Sequence, residues 1–218
     1  MITSNVLHRV FRVQHNNKTG SAYTIEKGGQ QYLVSASHVF EGEKELDAIT
    51  IYHDNSWKTV PVDVIRNWTG DGDTIVFRLT FDLSPRLPVA YTTDKMILGS
   101  WAYFLGFPYM VTTGGSDINR RFPLPLIKAG LISGMHSEKE GIVITYLDGH
   151  ANRGFSGGPA VWINPMNPKG PAQIFGTISA FRTEYPINPE TKDDLRDYST
   201  NAGIVEAIFI RDILQMLP

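Results

Sequence analysis

The chain has 218 residues, a formal net charge of −2 and an isoelectric point near 6.3, with 42% apolar residues. This size fits one large all-β unit or two small domains, and the balanced charge predicts neither a nucleic-acid partner nor an anionic membrane. Cysteine is absent, which excludes disulfides, zinc–thiolate sites and cysteine nucleophiles. We also expect a cytoplasmic protein, because residues 1–5 begin no secretory signal and no apolar run is long enough to span a membrane.

Short β-type runs separated by turn residues dominate the chain. Glycine, asparagine, aspartate and proline stand between the runs at regular spacing, which favours barrels or a sandwich. No long amphipathic helix interrupts them, so a parallel α/β sheet is not expected. The predicted strands are residues 6–13, 22–25, 31–34, 48–52, 57–62 and 74–79, followed by 101–105, 128–132, 141–147, 159–162, 173–180 and 203–207.

Helical periodicity occurs at the C-terminus, where Ile210, Ile213, Leu214 and Leu217 have the spacing of one helix face. Residues 85–94 carry few β signals and are predicted to link the two halves of the chain. Two long polar loops, residues 112–121 and 182–200, also stand out. Loops of this length are often functional or mobile, although a solvated surface excursion is an equal alternative for each.

Residues 154–159, Gly-Phe-Ser-Gly-Gly-Pro, have the composition of the nucleophile loop of a serine peptidase. A serine hydroxyl is a poor nucleophile unless a base takes its proton and donors receive the charge on the substrate carbonyl. Glycines let the backbone turn tightly enough to aim the amide hydrogens of Gly154 and Ser156 at one point, an oxyanion hole. A plain Gly-Ser turn at a strand end is the alternative for this segment alone.

The order of candidate residues along the chain restricts the catalytic class. Residues 154–158 also match the G-x-S-x-G elbow of α/β-hydrolases, but that fold requires a histidine after the serine. A subtilisin-like order requires an aspartate before the histidine, and none precedes His38. The remaining order is His, Asp, Ser. All histidines precede Ser156: they are His8, His15, His38, His53, His136 and His150.

His38 and Asp73 are the favoured base and orienting acid. His38 follows an apolar strand that ends in a turn of small residues, which would leave its imidazole facing a cleft. Asp73 stands directly before the apolar run 74–79, so its carboxylate can be half buried beside an imidazole, hold its tautomer and stabilise the imidazolium. Asp71 is the alternative acid, but a glycine separates it from the strand and leaves it solvated. We therefore favour Asp73.

Several segments in the same order resemble a trypsin-like (chymotrypsin-fold) serine peptidase, similar to the cysteine-free bacterial HtrA and glutamyl-endopeptidase groups. Only the nucleophile loop is specific on its own, but the ordered set covers most of the chain from about residue 20. The matching segments are residues 35–38 (small-small-small-His), 73–79 (the strand that begins with Asp), 99–108, 154–159, 178–180 and 203–208.

This resemblance implies an all-β fold of two antiparallel six-stranded β-barrels with a short C-terminal helix. The N-terminal barrel would cover residues 1–90, and the C-terminal barrel with its helix residues 95–218, in one peptidase unit. His38 and Asp73 would come from the first barrel and Ser156 from the second. The implied activity is a serine endopeptidase without a cofactor or a metal, acting on a peptide or protein substrate. A regulatory partner is a further expectation.

The resemblance also implies a substrate pocket and some departures from relatives. Phe155 replaces the aspartate that pairs with a new N-terminus in zymogens, which excludes that activation. His150 replaces the aspartate with which trypsins select basic side chains, so no such preference is expected. Ser179 is expected to hydrogen-bond Asp73. The implied substrate-binding residues are His150, Arg153, Ser179, Ala180, Phe181 and Gly203. For Arg153, a side chain that points to solvent is an equal alternative.

A catalytically silent binding module on the same fold is the alternative from another functional class. The presence of all three triad residues makes silence the less favoured of the two. A peptidase gated by a loop or a partner lies between them.

Overall fold

The structure, a computed structural model, describes residues 1–92, 96–111, 119–137 and 141–218. Its first half forms a closed antiparallel barrel with the strand order β1-β2-β3-β6-β5-β4. The bounds of these strands are β1 Val10–His15, β2 Lys18–Lys27, β3 Gln30–Ser35, β4 Ala48–His53, β5 Ser56–Trp68 and β6 Thr74–Leu79.

The second half forms a six-stranded antiparallel barrel with the order β11-β8-β9-β10-β13-β12, which the pairing of β11 with β12 closes. A seventh, two-residue strand, β7, joins β12 in parallel. The bounds are β7 Ala90–Tyr91, β8 Trp101–Gly106, β9 Leu126–Ser137, β10 Val143–Asp148, β11 Pro159–Trp162, β12 Gln173–Glu184 and β13 Thr200–Phe209. The predicted all-β fold with two six-stranded barrels is confirmed.

Short helices stand at both ends of the chain. The predicted C-terminal helix is present as α2, Ile210–Met216, and a single turn, α1, covers Ser4–Leu7. The 3₁₀ helices are Ser37–Phe40, Gly70–Gly72 and Pro108–Met110. Among the described residues, no helix has the length and apolar character needed to span a membrane.

Some apolar residues of the strands lie in the core of one barrel, and others lie where the two barrels contact each other. In β6, Ile75 and Phe77 belong to the core of the first barrel, whereas Val76 belongs to a cluster shared with the second. The shared cluster also takes Leu105 of β8 and Ile213 of α2. Alternate side chains of a strand face opposite sides of the sheet, so a strand buried on both sides is apolar throughout. The barrels are therefore packed directly against each other.

Several element boundaries differ from the predicted ones. The predicted strand 6–13 begins only at Val10, because the preceding residues form α1. The linker 85–94 contains β7, and its residues 93 and 94 lie outside the described residues. The predicted loop 182–200 begins and ends in strands, since β12 extends to Glu184 and β13 starts at Thr200. The predicted loop 112–121 lies outside the described residues except for residues 119–121.

Candidate active site

His38 and Asp73 lie side by side because their strands are neighbours. Ser35, at the end of β3, pairs with Ile75 near the start of β6. The turn after β3 and the turn before β6 are therefore adjacent at one end of the barrel. A hydrogen bond from the Ser37 amide to the Asp73 carbonyl at 3.2 Å joins the two turns. The antiparallel pairing thus brings His38 to Asp73 across 35 residues of chain.

The imidazole and the carboxylate are in direct contact. Nδ1 of His38 lies 2.7 Å from Oδ2 of Asp73, and the His38 amide donates to Oδ1 at 2.9 Å. An ionised carboxylate only accepts hydrogen bonds, so Nδ1 carries the proton and Nε2 of the neutral ring is an acceptor. The side chain of Asp73 is 18% exposed and that of His38 50% exposed. The carboxylate of the alternative acid, Asp71, lies outside the described side chains.

Ser156 faces the same cleft from the second barrel. An open cavity of about 740 Å³ is lined by His38, Asp73 and Ser156 together. Among the described residues, the Ser156 hydroxyl makes no hydrogen bond to protein, and the hydrogen bond of the His38 ring goes to Asp73. The three predicted triad residues are thus brought to one cleft between the barrels.

Neighbouring groups hold the backbone carbonyls of the nucleophile loop. Four successive carbonyls, from Arg153 to Ser156, each accept a hydrogen bond from a backbone amide or from a side chain. The donors are Tyr109 N to Arg153 O at 3.3 Å, Ser21 Oγ to Gly154 O at 2.7 Å, Gly158 N to Phe155 O at 2.9 Å, and Ser21 N to Ser156 O at 2.8 Å.

The two predicted oxyanion-hole amides are left unpaired by this arrangement. In a trans peptide the N–H points away from the C=O, so fixing the carbonyls of Arg153 and Phe155 also fixes the amides of Gly154 and Ser156. Neither amide donates a hydrogen bond within the described part of the chain. Gly154 and Ser156 both line the cleft. Two unpaired donors beside a serine hydroxyl can receive a developing oxyanion.

At all three glycines of this loop a Cβ would collide with neighbouring backbone, and at Gly158 it would meet the carbonyl oxygen of Leu105. Gly154 has a φ of +104°, and a Cβ there would meet Phe107 O at 2.5 Å. Gly157 has a φ of +84°, and a Cβ would collide with the backbone oxygen of Ser21. These approaches explain the glycines of the motif, because any larger residue would push the loop away from its hydrogen-bond donors.

Phe155 anchors the loop in the core of the second barrel. Its ring is fully buried and packs edge-on against Phe104 with a centroid separation of 5.1 Å. The residue that replaces the zymogen aspartate therefore holds the loop by apolar packing rather than by an ion pair. Beside it, Lys128 donates to Asn152 Oδ1 at 3.1 Å, and burial lowers the pKa of this lysine. The carbonyl of Asn152 accepts from the Phe155 amide at 3.2 Å.

The predicted substrate-binding residues divide into two groups. Arg153, Ser179, Ala180 and Phe181 line the cleft of the triad. The hydroxyl of Ser179 donates to the Glu206 carbonyl at 3.4 Å, so the expected hydrogen bond to Asp73 is not made.

His150 and Gly203 are not among the residues that line this cleft. The Gly149 amide donates to Gly203 O at 2.8 Å, which ties both segments to the end of β10. Gly203 lines a separate groove of about 660 Å³ with Asp148 and Arg182. The prediction that His150 and Gly203 bind substrate stays a prediction.

Other residues of the cleft were not predicted from the sequence. Lys18 of β2 donates to the His38 carbonyl at 3.2 Å, and Tyr109 lies opposite with a φ of +51°. Asn17, Thr19, Val39 and Thr183 complete the lining. The segment 17–19 immediately precedes a predicted strand, but nothing in the sequence indicated which end of that strand reaches the cleft.

One group of potential metal ligands occurs among the described residues. Single ligand atoms of His15, Glu41 and Glu43 lie within 4.8 Å of one another. The Asn16 amide already donates to Glu41 at 2.8 Å, and the Lys18 ammonium lies 3.7 Å from the same carboxylate. Because these donors already compensate the exposed carboxylate of Glu41, we assign no metal site to the group.

Solved structures of serine proteases share this fold. HtrA-type protease AlgW with a tripeptide superposes with a TM-score of 0.63 at 19% identity, covering 97% of this chain and 60% of that chain. A serine endoprotease from Yersinia pestis gives 0.59 at 16% identity, over 99% and 65%. An inactive form of Rv3671c from M. tuberculosis H37Rv gives 0.59 at 13% identity, over 97% and 85%.

These comparisons define the fold as that of the trypsin-like serine proteases. The chain spans less than two thirds of the length of the AlgW and Yersinia proteins. No protein-family model matches the sequence, and no curated protein matches it either. The resemblance seen in the sequence is thus confirmed at the level of the fold.

Proposed function

We propose that the protein is a serine endopeptidase that cleaves peptide bonds through Ser156, His38 and Asp73. The observation that carries the proposal is the contact of His38 Nδ1 with Asp73 Oδ2 at 2.7 Å, in a cleft that Ser156 also lines. A carboxylate that holds a histidine ring in a cleft that a serine also lines supplies the groups that nucleophilic acyl transfer requires, and the hydrogen bond from Ser156 Oγ to His38 Nε2 would form when substrate binds. That the fold neighbours are serine proteases supports the same conclusion.

The reaction begins with attack of Ser156 Oγ on the substrate carbonyl carbon while Nε2 of His38 takes the hydroxyl proton. The C=O π bond becomes a C–O⁻ bond, whose charge the amides of Gly154 and Ser156 stabilise. Asp73 stabilises the imidazolium. His38 then protonates the leaving amine as the C–N bond breaks and the acyl-enzyme remains. His38 then takes a proton from water, which attacks the acyl carbon of the ester. As the bond from that carbon to Ser156 Oγ breaks, His38 gives the proton to Ser156 and the acid product leaves.

Side-chain preference in this proposal comes from the cleft wall. Phe181 provides apolar surface, and Arg153 is an exposed cation for which the described residues provide no ion pair. Asp73 is the single carboxylate among the described residues that line the cleft, and it is engaged by His38. A substrate arginine or lysine would meet repulsion from Arg153 without a counter-ion. The protease would therefore disfavour basic side chains.

A gate is the second part of the proposal. Thr183, at the end of β12, lines the cleft, and residues 185–199 continue the chain from there to β13. Glu190 and Lys192 belong to this exposed excursion, which has a single isolated bridge, Ile187 to Asp194. A segment with few tertiary contacts changes conformation at low cost. It would regulate access to the cleft until a substrate or a partner binds.

Hydrolysis of a quenched, fluorescently labelled denatured protein tests the proposal. Ser156→Ala should lower the rate by on the order of 10⁴-fold or more and leave thermal stability nearly unchanged. Ser133→Ala, which removes an exposed hydroxyl of β9, is the matched control and should keep the wild-type rate. Full activity of Ser156→Ala would contradict the proposal. Peptide binding by a wild-type protein without hydrolysis would favour the silent binding module.

A further inference from the structure

We propose that Ser21, on the first barrel, is a positioning residue that fixes the shape of the oxyanion hole on the second. This inference rests on the proposed peptidase function and adds a residue that lies outside the triad. Ser21 belongs to β2, and its side chain is fully buried. Its hydroxyl and its amide contact backbone groups of the nucleophile loop and of the segment after β8, and its carbonyl accepts a hydrogen bond from Ser35 Oγ at 2.7 Å.

The hydrogen bonds of Ser21 saturate its hydroxyl and its backbone. The hydroxyl donates to Gly154 O at 2.7 Å and accepts from the Phe107 amide at 3.0 Å. The Ser21 amide donates to Ser156 O at 2.8 Å. Since the hydroxyl is held both as donor and as acceptor, its orientation is fixed. Ser21 therefore contacts the loop on both sides of Phe155.

The bond to Gly154 O controls the peptide that separates the two oxyanion donors. The carbonyl of the Gly154–Phe155 peptide is held by Ser21, and its N–H donates to Asn152 O at 3.2 Å. Rotation of this peptide would change ψ of Gly154 and φ of Phe155. The Gly154 and Ser156 amides belong to the two flanking peptides, which join this one at the Cα atoms of Gly154 and Phe155. A rotation that these two torsions do not fully compensate would therefore tilt the two amides relative to each other. Glycine at 154 offers little resistance to such a rotation, because it lacks a Cβ.

Ser21 performs this task in a loop that lacks an ionic latch. The buried ring of Phe155 holds the loop in the core of the second barrel, but the packing of this ring does not determine the direction of the Gly154 carbonyl. Removal of the Ser21 hydroxyl would leave Gly154 O without its donor in a buried position, so the peptide would turn toward other partners. A displaced donor then meets the oxyanion at a poorer distance and angle, and the loss falls on the transition state.

Kinetics of Ser21→Ala test this positioning role against a matched control. Thr24→Val removes a buried hydroxyl from the same strand. The hydroxyl of Thr24 hydrogen-bonds Ser84 Oγ at 2.6 Å, away from the nucleophile loop. Ser21→Ala should lower kcat by roughly 10- to 100-fold with KM changed by less than about threefold, because the hole acts in the transition state. Thr24→Val should retain kcat. Equal kcat values for the two variants would overturn the inference.

Amide hydrogen exchange provides a readout that does not need activity. In Ser21→Ala the Phe155 amide should exchange at least about 10-fold faster than in Thr24→Val, since its peptide has lost one anchor. Unchanged exchange in Ser21→Ala would overturn the inference even in a wild-type protein that cleaves nothing. A wild-type protein that cleaves no substrate would refute the peptidase proposal, whatever the exchange experiment shows. Should Ser21→Ala fail to fold, Ser21→Cys, a weaker donor, should show the same effects in smaller degree.

Discussion

Asp73 holds His38 at two points, with one carboxylate oxygen on the ring nitrogen at 2.7 Å and the other on the backbone amide at 2.9 Å. The two contacts fix both the position of the residue and the tautomer of its ring. A single ring contact would leave the ring free to swing about that bond. The bidentate arrangement therefore aims Nε2 at one place in the cleft.

Asp73→Asn should lower kcat/KM by on the order of 10⁴-fold, because an amide can present N–H to Nδ1 and stabilise the wrong tautomer. Asp71→Asn serves as the comparison, since Asp71 was the alternative acid. The measurement is peptide hydrolysis at saturating and subsaturating substrate. A large loss in Asp71→Asn together with a normal rate in Asp73→Asn would assign the role to the other carboxylate.

Phe155→Ala should destabilise the protein by about 3–5 kcal/mol, because it opens a cavity in the second core and frees the nucleophile loop. Phe81→Ala is the matched control: that ring is 50% exposed, and its loss should change the free energy of unfolding by less than about 0.5 kcal/mol. Urea unfolding of both variants measures the difference. Similar stabilities would mean that Phe155 does not anchor the loop.

The free energy of unfolding should decrease as the pH falls below about 6.5, because two histidines, the buried His8 and the half-buried His53, resist protonation in the folded state. Burial, followed by the charge of Arg120, lowers the pKa of His8; burial, followed by Lys58, lowers that of His53. Both rings pack on Phe122 with centroids 4.8 Å away. The unfolded chain then binds more protons than the folded one, so acid favours unfolding.

Urea unfolding at about pH 7.5 and about pH 5.5 checks this sign. The double variant His8→Gln/His53→Gln should be less stable at the higher pH but should lose less stability on acidification. His150→Gln, which changes an exposed histidine, should keep the wild-type slope. A double variant with the full wild-type slope would show that other groups cause the acid sensitivity.

Replacement of residues 185–199 by a short Gly-Ser linker should change both the rate and the cleavage profile, if this segment regulates the cleft as proposed. The control shortens residues 164–171, which connect β11 to β12 and do not line the cleft of the triad. Profiling with a peptide library reports both quantities. An unaltered rate and profile would refute the gate, and strong cleavage after arginine or lysine by the wild type would refute the selectivity argument.

Much of the architecture could be predicted because strands that are buried on both sides appear in the sequence as apolar runs. The run 74–79 is apolar at four of its six residues, since Ile75 faces a barrel core and Val76 the contact between the barrels. The C-terminal helix was likewise predictable, because Ile210 and Ile213 pack on the shared cluster. Residues 6–9 were wrongly predicted as strand, because a single helical turn at a chain end has no periodicity to detect.

The residues that meet in the cleft were predictable where chemistry dictates residue type and not where geometry alone decides. His38, Asp73 and Ser156 stand out because few residues can act as base, acid and nucleophile. The resemblance to trypsin-like peptidases placed His150 and Gly203 in the substrate pocket, and nothing in the sequence indicated that Gly203 lines a second groove. Ser21 carried no signal of its own: its role depends on an approach to Gly154 across 133 residues of chain.

Labelling with a fluorophosphonate probe, followed by peptide mapping, tests the central claim most directly. This probe reacts covalently with a serine that a neighbouring base activates. The account predicts a single labelled residue, Ser156, with labelling lost in Ser156→Ala and slowed by on the order of 10³-fold or more in His38→Ala. Labelling at a different serine, or an unlabelled wild-type protein, would contradict it.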